Sequence, residues 1–349
     1  MRTTYNKNDV EILLKDITGL VKPKSTEERE KLIQSGLHYS EMLPIEYSPS
    51  SKYMEAYYEA LKNYSKTVAY AVGILSDKIY KLKGKKFVIV SLARAGIPAG
   101  ILIKRYIKYK YNIDIKHYSI SIIRGKGIDK NAINYIIKKY NANDIIFVDG
   151  WIGKGAILNE LKNCVLEFKG LSPELAVISD PSGLTNIYGT NEDILIPSSC
   201  LNSTVSGLIS RTFLKNDIIK ENDFHGAMFY ENLIDKDLSY EFIESIEKHF
   251  IKNNIEKIKT ININGINEVI KIKEKYNITD INFIKPGIGE TTRVLLRRVP
   301  WKIILNEKYK NDKSLNHILK LAQEKNVNIK YDLIGNYKCC GIIKNMSDI

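Results

Sequence analysis

Between about residues 53 and 80 the apolar positions Tyr57, Leu61, Tyr64, Val68, Val72, Leu75 and Ile79 advance by threes and fours, which places them on one face of a long helix. The period then changes. Residues 86–91 form a short apolar run that stops at Ala93-Arg94-Ala95-Gly96, and a second helical pattern runs from Pro98 to about residue 109. Residues 115–123 alternate as a strand does, the stretch after Asp129 sets Ile133, Ile136 and Ile137 on one helical face, and residues 144–149 read as a buried strand. A helix over 155–168 and a strand over 174–179 complete the alternation. The pattern predicts an α/β fold, a doubly wound parallel sheet whose ligands bind at the carboxyl ends of its strands.

The flanks are less regular. The first fifty residues are polar, are broken by Pro23, Gly36, Pro44 and Pro49, and are expected to form an ordered cap. Residues 181–215, with Pro181, Gly183, Gly189, Pro197 and Gly207, match no regular element and read as a substrate-facing insertion. An amphipathic helix follows Asp223-Phe224-His225-Gly226, and the Lys/Asn-rich stretch 252–259 reads as a linker. Beyond it a second, smaller α/β unit is predicted: strand 258–263, helix 266–275, a glycine-rich turn at 286–289, helix 290–298, strand 302–305, helix 315–324 and strand 328–333. The expected domains are 1–250 and 257–349.

Charge sharpens this division. The chain of 349 residues carries a net +13; residues 250–349 hold 19 Lys and Arg against 10 Asp and Glu, so +9 of it sits in the last hundred residues, where it favours a phosphate backbone. The 4 cysteines show neither Cys-x-x-Cys pairing nor histidines at metal-ligand spacing, which argues for reduced thiols, a cytoplasmic location and no structural zinc. With no run of 18 apolar residues and no secretory pattern at the N-terminus, neither a membrane span nor a signal peptide is expected. Oligomeric state is left open, a homo-oligomer included.

Three loops carry candidate chemistry. The apolar run Ile145-Ile146-Phe147-Val148 leads into Asp149-Gly150-Trp151-Ile152-Gly153-Lys154-Gly155-Ala156, an acid followed by a glycine-bracketed loop that opens a helix. Backbone N–H groups of such a loop receive a phosphate, and a carboxylate at the strand end holds ribose hydroxyls; an ordinary strand-to-helix turn is the alternative. The turn Ala93-Arg94-Ala95-Gly96 adds a guanidinium among small neighbours, suited to a diphosphate. Ile123-Arg124-Gly125-Lys126-Gly127, between a strand and a helix, reads as a basic lid.

Together these loops resemble the type I phosphoribosyltransferases, with Gly150 in place of a second acid and Ala156 where a threonine is usual. More closely, His38-Tyr39-Ser40-Glu41, Ser91-Leu92-Ala93-Arg94-Ala95-Gly96, the segments 117–125 and 196–204, Asp149-Gly150-Trp151 and Asp223-Phe224-His225-Gly226 resemble the tellurium-resistance-associated phosphoribosyltransferase family, whose members are also labelled cysteine proteases of the StiP type. The resemblance implies glycosyl transfer with phosphoribosyl diphosphate and Mg2+. In that reading Asp149, Arg94, Arg124 and Lys126 are catalytic, and substrate is contacted by Ala93, Ala95, Gly96, Gly150, Gly153, Lys154, Gly155, Ala156, Cys200, Asn202 and Ser203, with no side chain assigned to the metal.

It also implies a C-terminal Pelota-like RNA-binding domain. Gly287-Ile288-Gly289-Glu290-Thr291-Thr292-Arg293 is similar to the Gly-x-Asn-Glu-x-Thr-Lys turn of that fold, with Gly289 at the Asn position, and Gly287, Gly289, Glu290, Thr292, Arg293, Arg297 and Arg298 are the expected RNA contacts. Two rival readings stand beside the transferase: an RNA-binding protein that senses a ribosyl phosphate without catalysis, and a cysteine peptidase using Cys200 with His225 or His38 as base. His249 and His317 fall within helical patterns and read as structural.

Overall fold

The computed structural model describes residues 1–252, apart from 47 and 50, and residues 264–345. The predicted strand 258–263 and most of the predicted linker lie outside the described residues. In chain order the strands are β1 (Glu11–Ile12), β2 (Lys15–Asp16), β3 (Val88–Leu92), β4 (Lys116–Ile120), β5 (Ile122–Ile123), β6 (Gly127–Ile128), β7 (Ile145–Trp151), β8 (Leu175–Ser179), β9 (Tyr188–Thr190), β10 (Gly226–Ala227), β11 (Ile284–Pro286), β12 (Pro300–Asn306), β13 (Asn328–Asp332) and β14 (Cys339–Ile343). The α-helices are α1 (Thr26–Gln34), α2 (Ser51–Lys83), α3 (Gly96–Tyr111), α4 (Lys130–Ile137), α5 (Ala156–Val165), α6 (Ser239–Glu247), α7 (Gly265–Lys275), α8 (Ile288–Arg297) and α9 (Asn316–Glu324).

Strands β1, β4, β3, β7, β8 and β9 form one parallel sheet in that order. β3 and β7 are apolar on both faces because helices cover both. Val88, Val90, Ile145 and Phe147 pack with α4 and α5, while Ile89, Ile146 and Val148 pack with α2 and α3. All seven are buried, each contributing about 1.5–3 kcal/mol relative to exposure. The chain passes from β3 through α3 to β4 on one side and reaches β7 on the other, so the winding direction reverses between β3 and β7. Loops leaving the two strands diverge there and leave a crevice, where ligands of such sheets bind.

The parallel α/β core follows the predicted pattern, and the flanks depart from it. Residues 181–215 supply the edge strand β9 and the short 3-10 turns Pro197–Cys200 and Ser203–Val205. β9 is too short to show a period; a Cβ on its Gly189 would lie 2.3 Å from the Ala71 carbonyl oxygen of α2, so the strand depends on a glycine. The cap contains α1, which opens where the Ser25 hydroxyl accepts the Glu28 N–H at 3.1 Å.

The C-terminal sheet has the order β11-β14-β12-β13, antiparallel except for β12 with β13. Its central strand β14 was not foreseen, because Cys339-Cys340-Gly341-Ile342-Ile343 is buried throughout and has no alternation to read. One face packs Val269, Ile272, Ile284, Ile304 and Ile342 into a separate cluster. On the other, Ile288, Leu295, Ile303, Leu305, Ile318 and Cys339 join the same apolar cluster as α2 and α3. Helices α8 and α9 therefore pack the second sheet on the first part of the chain, α8 against the turn Pro197–Cys200 and α9 against α2. Among the described residues no helix is long and apolar enough to cross a membrane.

A candidate basic cleft and a buried cysteine

At the crevice a cavity of about 350 Å³ adjoins one of about 270 Å³, and both are lined by Tyr39, Asp149, Arg211, Lys285 and Arg293. One wall is the loop after β7. Gly155 there takes a φ of +82°, which favours glycine, and α5 begins without a side-chain cap, so its first N–H groups border the cavity. The other wall is the start of α8.

Asp149 accepts the Gly150 N–H at 2.7 Å, and burial pushes its pKa up to about 6. Arg94 donates to the Ile209 carbonyl at 2.9 Å and lies 3.5 Å from the Glu46 carboxylate. Arg124 donates to Asn282 Oδ1 at 2.8 Å, and its backbone N–H is held by the Tyr39 hydroxyl at 2.8 Å, so this loop is tied to both parts of the chain. Lys154 donates to the Ile281 and Ile284 carbonyls; burial, then Lys285, lowers its pKa to about 7. Arg211 lies 4.5 Å over the Tyr39 ring, its pKa lowered to about 9 by burial and then by Arg29.

Most of the loop residues singled out from the sequence thus share one cleft: Asp149, Arg94, Arg124, Lys154, Ala93, Ala95, Gly153, Gly155 and Ala156 line it. Lys126 does not; it faces a separate hollow with Asp129, Asp223 and His225. Gly96 serves packing, since a Cβ there would lie 2.6 Å from the Val148 carbonyl oxygen, and Gly150 stands against the Ala95 carbonyl outside the cavity lining.

The C-terminal turn expected to meet RNA is turned inward. Gly287, Gly289 and Thr292 are buried, and a Cβ on Gly289 would lie 2.3 Å from the Trp151 indole. The Ile288 and Lys338 N–H groups donate to the buried Asp193 carboxylate at 3.0 and 2.8 Å; burial pushes Asp193 up to about 6. Thr292 bonds His317 Nε2 at 2.8 Å, and burial lowers that histidine to about 4, the structural role its helical position predicts. Glu290, Arg293, Arg297 and Arg298 line the cleft. Arg298 grips Glu30 of α1 through two bonds of 2.7 Å, and Arg297 bonds Asn202.

Cys200 ends the turn Pro197–Cys200, is buried, and does not line the cleft. Among the described residues the hydroxyls of Ser199 and Ser203 beside it are buried without hydrogen-bond partners, and the Ser203 N–H donates to Glu46 at 2.8 Å. His38 bonds Ser40 Oγ at 2.8 Å and the Arg124 carbonyl at 3.0 Å; His225 bonds Ser121 Oγ at 2.9 Å. Burial holds both below the ordinary histidine range.

Sequence reasoning missed Arg29, Arg211 and Lys285. Arg29 sits in the polar cap and Arg211 in the stretch without periodicity, so neither was flagged by a pattern. Among the described residues no group of three His, Cys, Asp or Glu side chains is placed to hold a metal ion.

Residues 3–247 match the family profile described as "Tellurite-like stress resistance cysteine protease StiP", and residues 263–345 match the PELOTA RNA binding domain. The "Cysteine protease StiP" of Acinetobacter baylyi is 34% identical over 363 aligned residues, covering 98% of this chain and 94% of that protein. Solved structures described as phosphosugar isomerases overlap weakly: one from Clostridium difficile at TM-score 0.24 and 13% identity over 78% of this chain and 69% of that one, and one from Bacillus subtilis at 0.19 and 9% over 77% and 68%.

The expectation of pentosyl transfer is corrected by these matches, because the family and the relative are named for cysteine proteolysis. The transferase activity goes with it, as do phosphoribosyl diphosphate as its substrate and the magnesium that the reaction would need. The loops looked right because a glycine-bracketed turn after a parallel strand serves any fold of this winding. By its match over residues 3–247 and its full-length relative, the chain belongs to the StiP family.

Proposed function

We propose that the protein is a cysteine peptidase with Cys200 as nucleophile, and that its C-terminal unit binds RNA. The observation that carries the peptidase reading is the 34% identity, across 98% of the chain, with a protein named as a cysteine protease. Two thiols fall within the family match, Cys164 and Cys200. Cys164 lies on α5, 4.0 Å from the Glu160 carboxylate, and burial raises its pKa, the opposite of what a nucleophile needs. Cys200 lies along the chain among Ser199, Asn202 and Ser203, polar groups suited to a peptide backbone, and Arg297 donates to the Asn202 Oδ1.

In this reading the Cys200 sulfur attacks the peptide carbonyl carbon. Its proton passes through an imidazole to the departing amine, and water then cleaves the thioester, releasing the carboxylate and restoring the thiol. Because Cys200 is 1% exposed, the segment 197–206 must open to admit substrate. The units of the reading are a peptidase over 1–250 and an RNA-binding part over 257–349.

Hydrolysis of an unfolded protein substrate by full-length wild type, Cys200→Ala and Cys164→Ala tests it, with alkylation by a thiol-reactive peptide probe read in parallel. Loss of turnover and labelling in Cys200→Ala alone is expected. Loss in Cys164→Ala alone would move the nucleophile, and undiminished hydrolysis by both variants would refute the peptidase.

A further inference from the structure

We propose that the C-terminal unit binds single-stranded RNA along Trp301, Lys302, Tyr276 and Lys330, a strip at one edge of its sheet. The proposal rests on the RNA-binding reading and names the surface for it. The glycine turn does not offer that surface: Gly287, Gly289 and Thr292 are buried, and Glu290 and Arg293 line the cleft. In the order β11-β14-β12-β13 the turn follows β11, at one edge, and the strip belongs to β12 and β13, at the other.

The strip is built by the register of the strands. Pro300 is the partner of Ile343 and Lys302 that of Ile342, which leaves Trp301 over as an extra residue in β12. A bulge of this kind re-aims a side chain, and Trp301 stands 42% exposed. From Lys302 onward the alternation is regular. Lys302 and Ile304, with Lys330 opposite Ile304, share the face on which Ile304 packs with Val269 and Ile272 of α7. That face brings both lysines to Tyr276, the residue after α7. The Lys302 Nζ lies 4.3 Å from the Trp301 ring centre and 5.2 Å from that of Tyr276; the Lys330 Nζ lies 5.4 Å from the Tyr276 ring.

Charge selects the occupant. The Asp332 carboxylate beside the strip is already taken, by Lys275 at 2.6 Å and by the Tyr276 hydroxyl at 2.8 Å. Lys302 and Lys330 have no ion pair among the described residues, whereas Lys338, over the Tyr309 ring, is paired with Asp312 at 2.7 Å. The strip therefore keeps its positive charge, within a hundred residues that carry +9. Exposed ring and unpaired ammonium side by side match an unpaired nucleotide, whose base stacks on the ring and whose phosphate meets the ammonium. A duplex hides its base faces, so the strip favours single strands.

Anisotropy of a fluorescein-labelled oligouridine dodecamer with the full chain, over a salt series, tests the proposal. Trp301→Ala is expected to weaken binding at least tenfold, and Trp301→Phe to restore most of it. Lys302→Gln combined with Lys330→Gln should lower the slope of log affinity against log salt by about 1.4, the share of two single-strand phosphates. The dodecamer should quench the tryptophan emission of wild type and leave that of Trp301→Phe, whose remaining tryptophan is Trp151, unchanged. If Trp301→Ala fails to fold, the lysine pair and the emission of Trp301→Phe carry the test. RNA binding that the strip variants all retain would overturn this surface and leave the RNA-binding reading standing. Loss in Arg293→Gln with the strip variants unaffected would do the same and move RNA to the cleft. Equal affinity for the dodecamer annealed to oligoadenosine would overturn the single-strand assignment. No binding by wild type would refute the RNA-binding reading itself, and the surface with it.

Discussion

The loop after β7 and the turn before α8 face each other across one cleft, and both place glycines where a strand gives way to a helix. Their environments differ. A Cβ added at Gly153 would lie 2.9 Å from the Glu290 Cγ, the movable part of a side chain, and 3.3 Å from the Pro286 carbonyl oxygen, and the loop around it borders the cavity. A Cβ added at Gly289 would lie 2.3 Å from the Trp151 ring, and the N–H of its neighbour Ile288 is taken by Asp193. A glycine in such a turn records that something comes close. In the first loop that space is taken by a side chain free to move; in the second it is filled by the Trp151 ring.

Gly289→Ala breaks the comparison most directly. The added Cβ meets the half-buried Trp151 ring, so a loss of about 3 kcal/mol in urea unfolding is expected. A neutral result would show that α8 does not dock as described. Asp193→Ala leaves the Ile288 and Lys338 N–H groups buried without an acceptor, at about 2–3 kcal/mol by the same measurement.

Asp149 gives a pH signature on the open side. Its folded pKa of about 6 lies above the unfolded value of about 3.9, so the folded protein binds the extra proton between these values. The contribution of this group therefore falls as pH rises from about 4 to 6. Asp149→Asn should remove that slope, gaining about 2 kcal/mol on wild type across the window; parallel stability curves would contradict the burial of the carboxylate. Gly153→Ala should cost the least, under about 1 kcal/mol, since Glu290 is able to swing aside. A cost equal to that of Gly289→Ala would erase the contrast between the turns.

Regular elements with a strong period were legible in the sequence. α2, with Tyr57, Leu61, Val68, Val72, Leu75 and Ile79 buried, and the strands β3, β7 and β8 fall where the pattern placed them. β14 and β9 were not legible: the first is apolar throughout and the second is three residues long. Asp149, Arg94 and Arg124 were found because each ends a strand or follows one. Arg29 sits on the short, polar helix α1, Arg211 lies in a stretch without period, and both come to the cleft by long-range folding. The transferase expectation rested on loop grammar, which specifies a backbone shape and leaves its chemistry open.

By itself the sequence determined the alternation of strands and helices, the parallel winding that follows, and the basic bias of the last hundred residues, because each depends on local periodicity or on composition. Tertiary structure decided that the second sheet would dock through α8, that the glycine turn at Gly289 would close on Trp151, and that arginines from α1, residues 181–215 and α8 would crowd one desolvated space. Those outcomes depend on which surfaces exclude water together, and residues far apart along the chain settle that jointly.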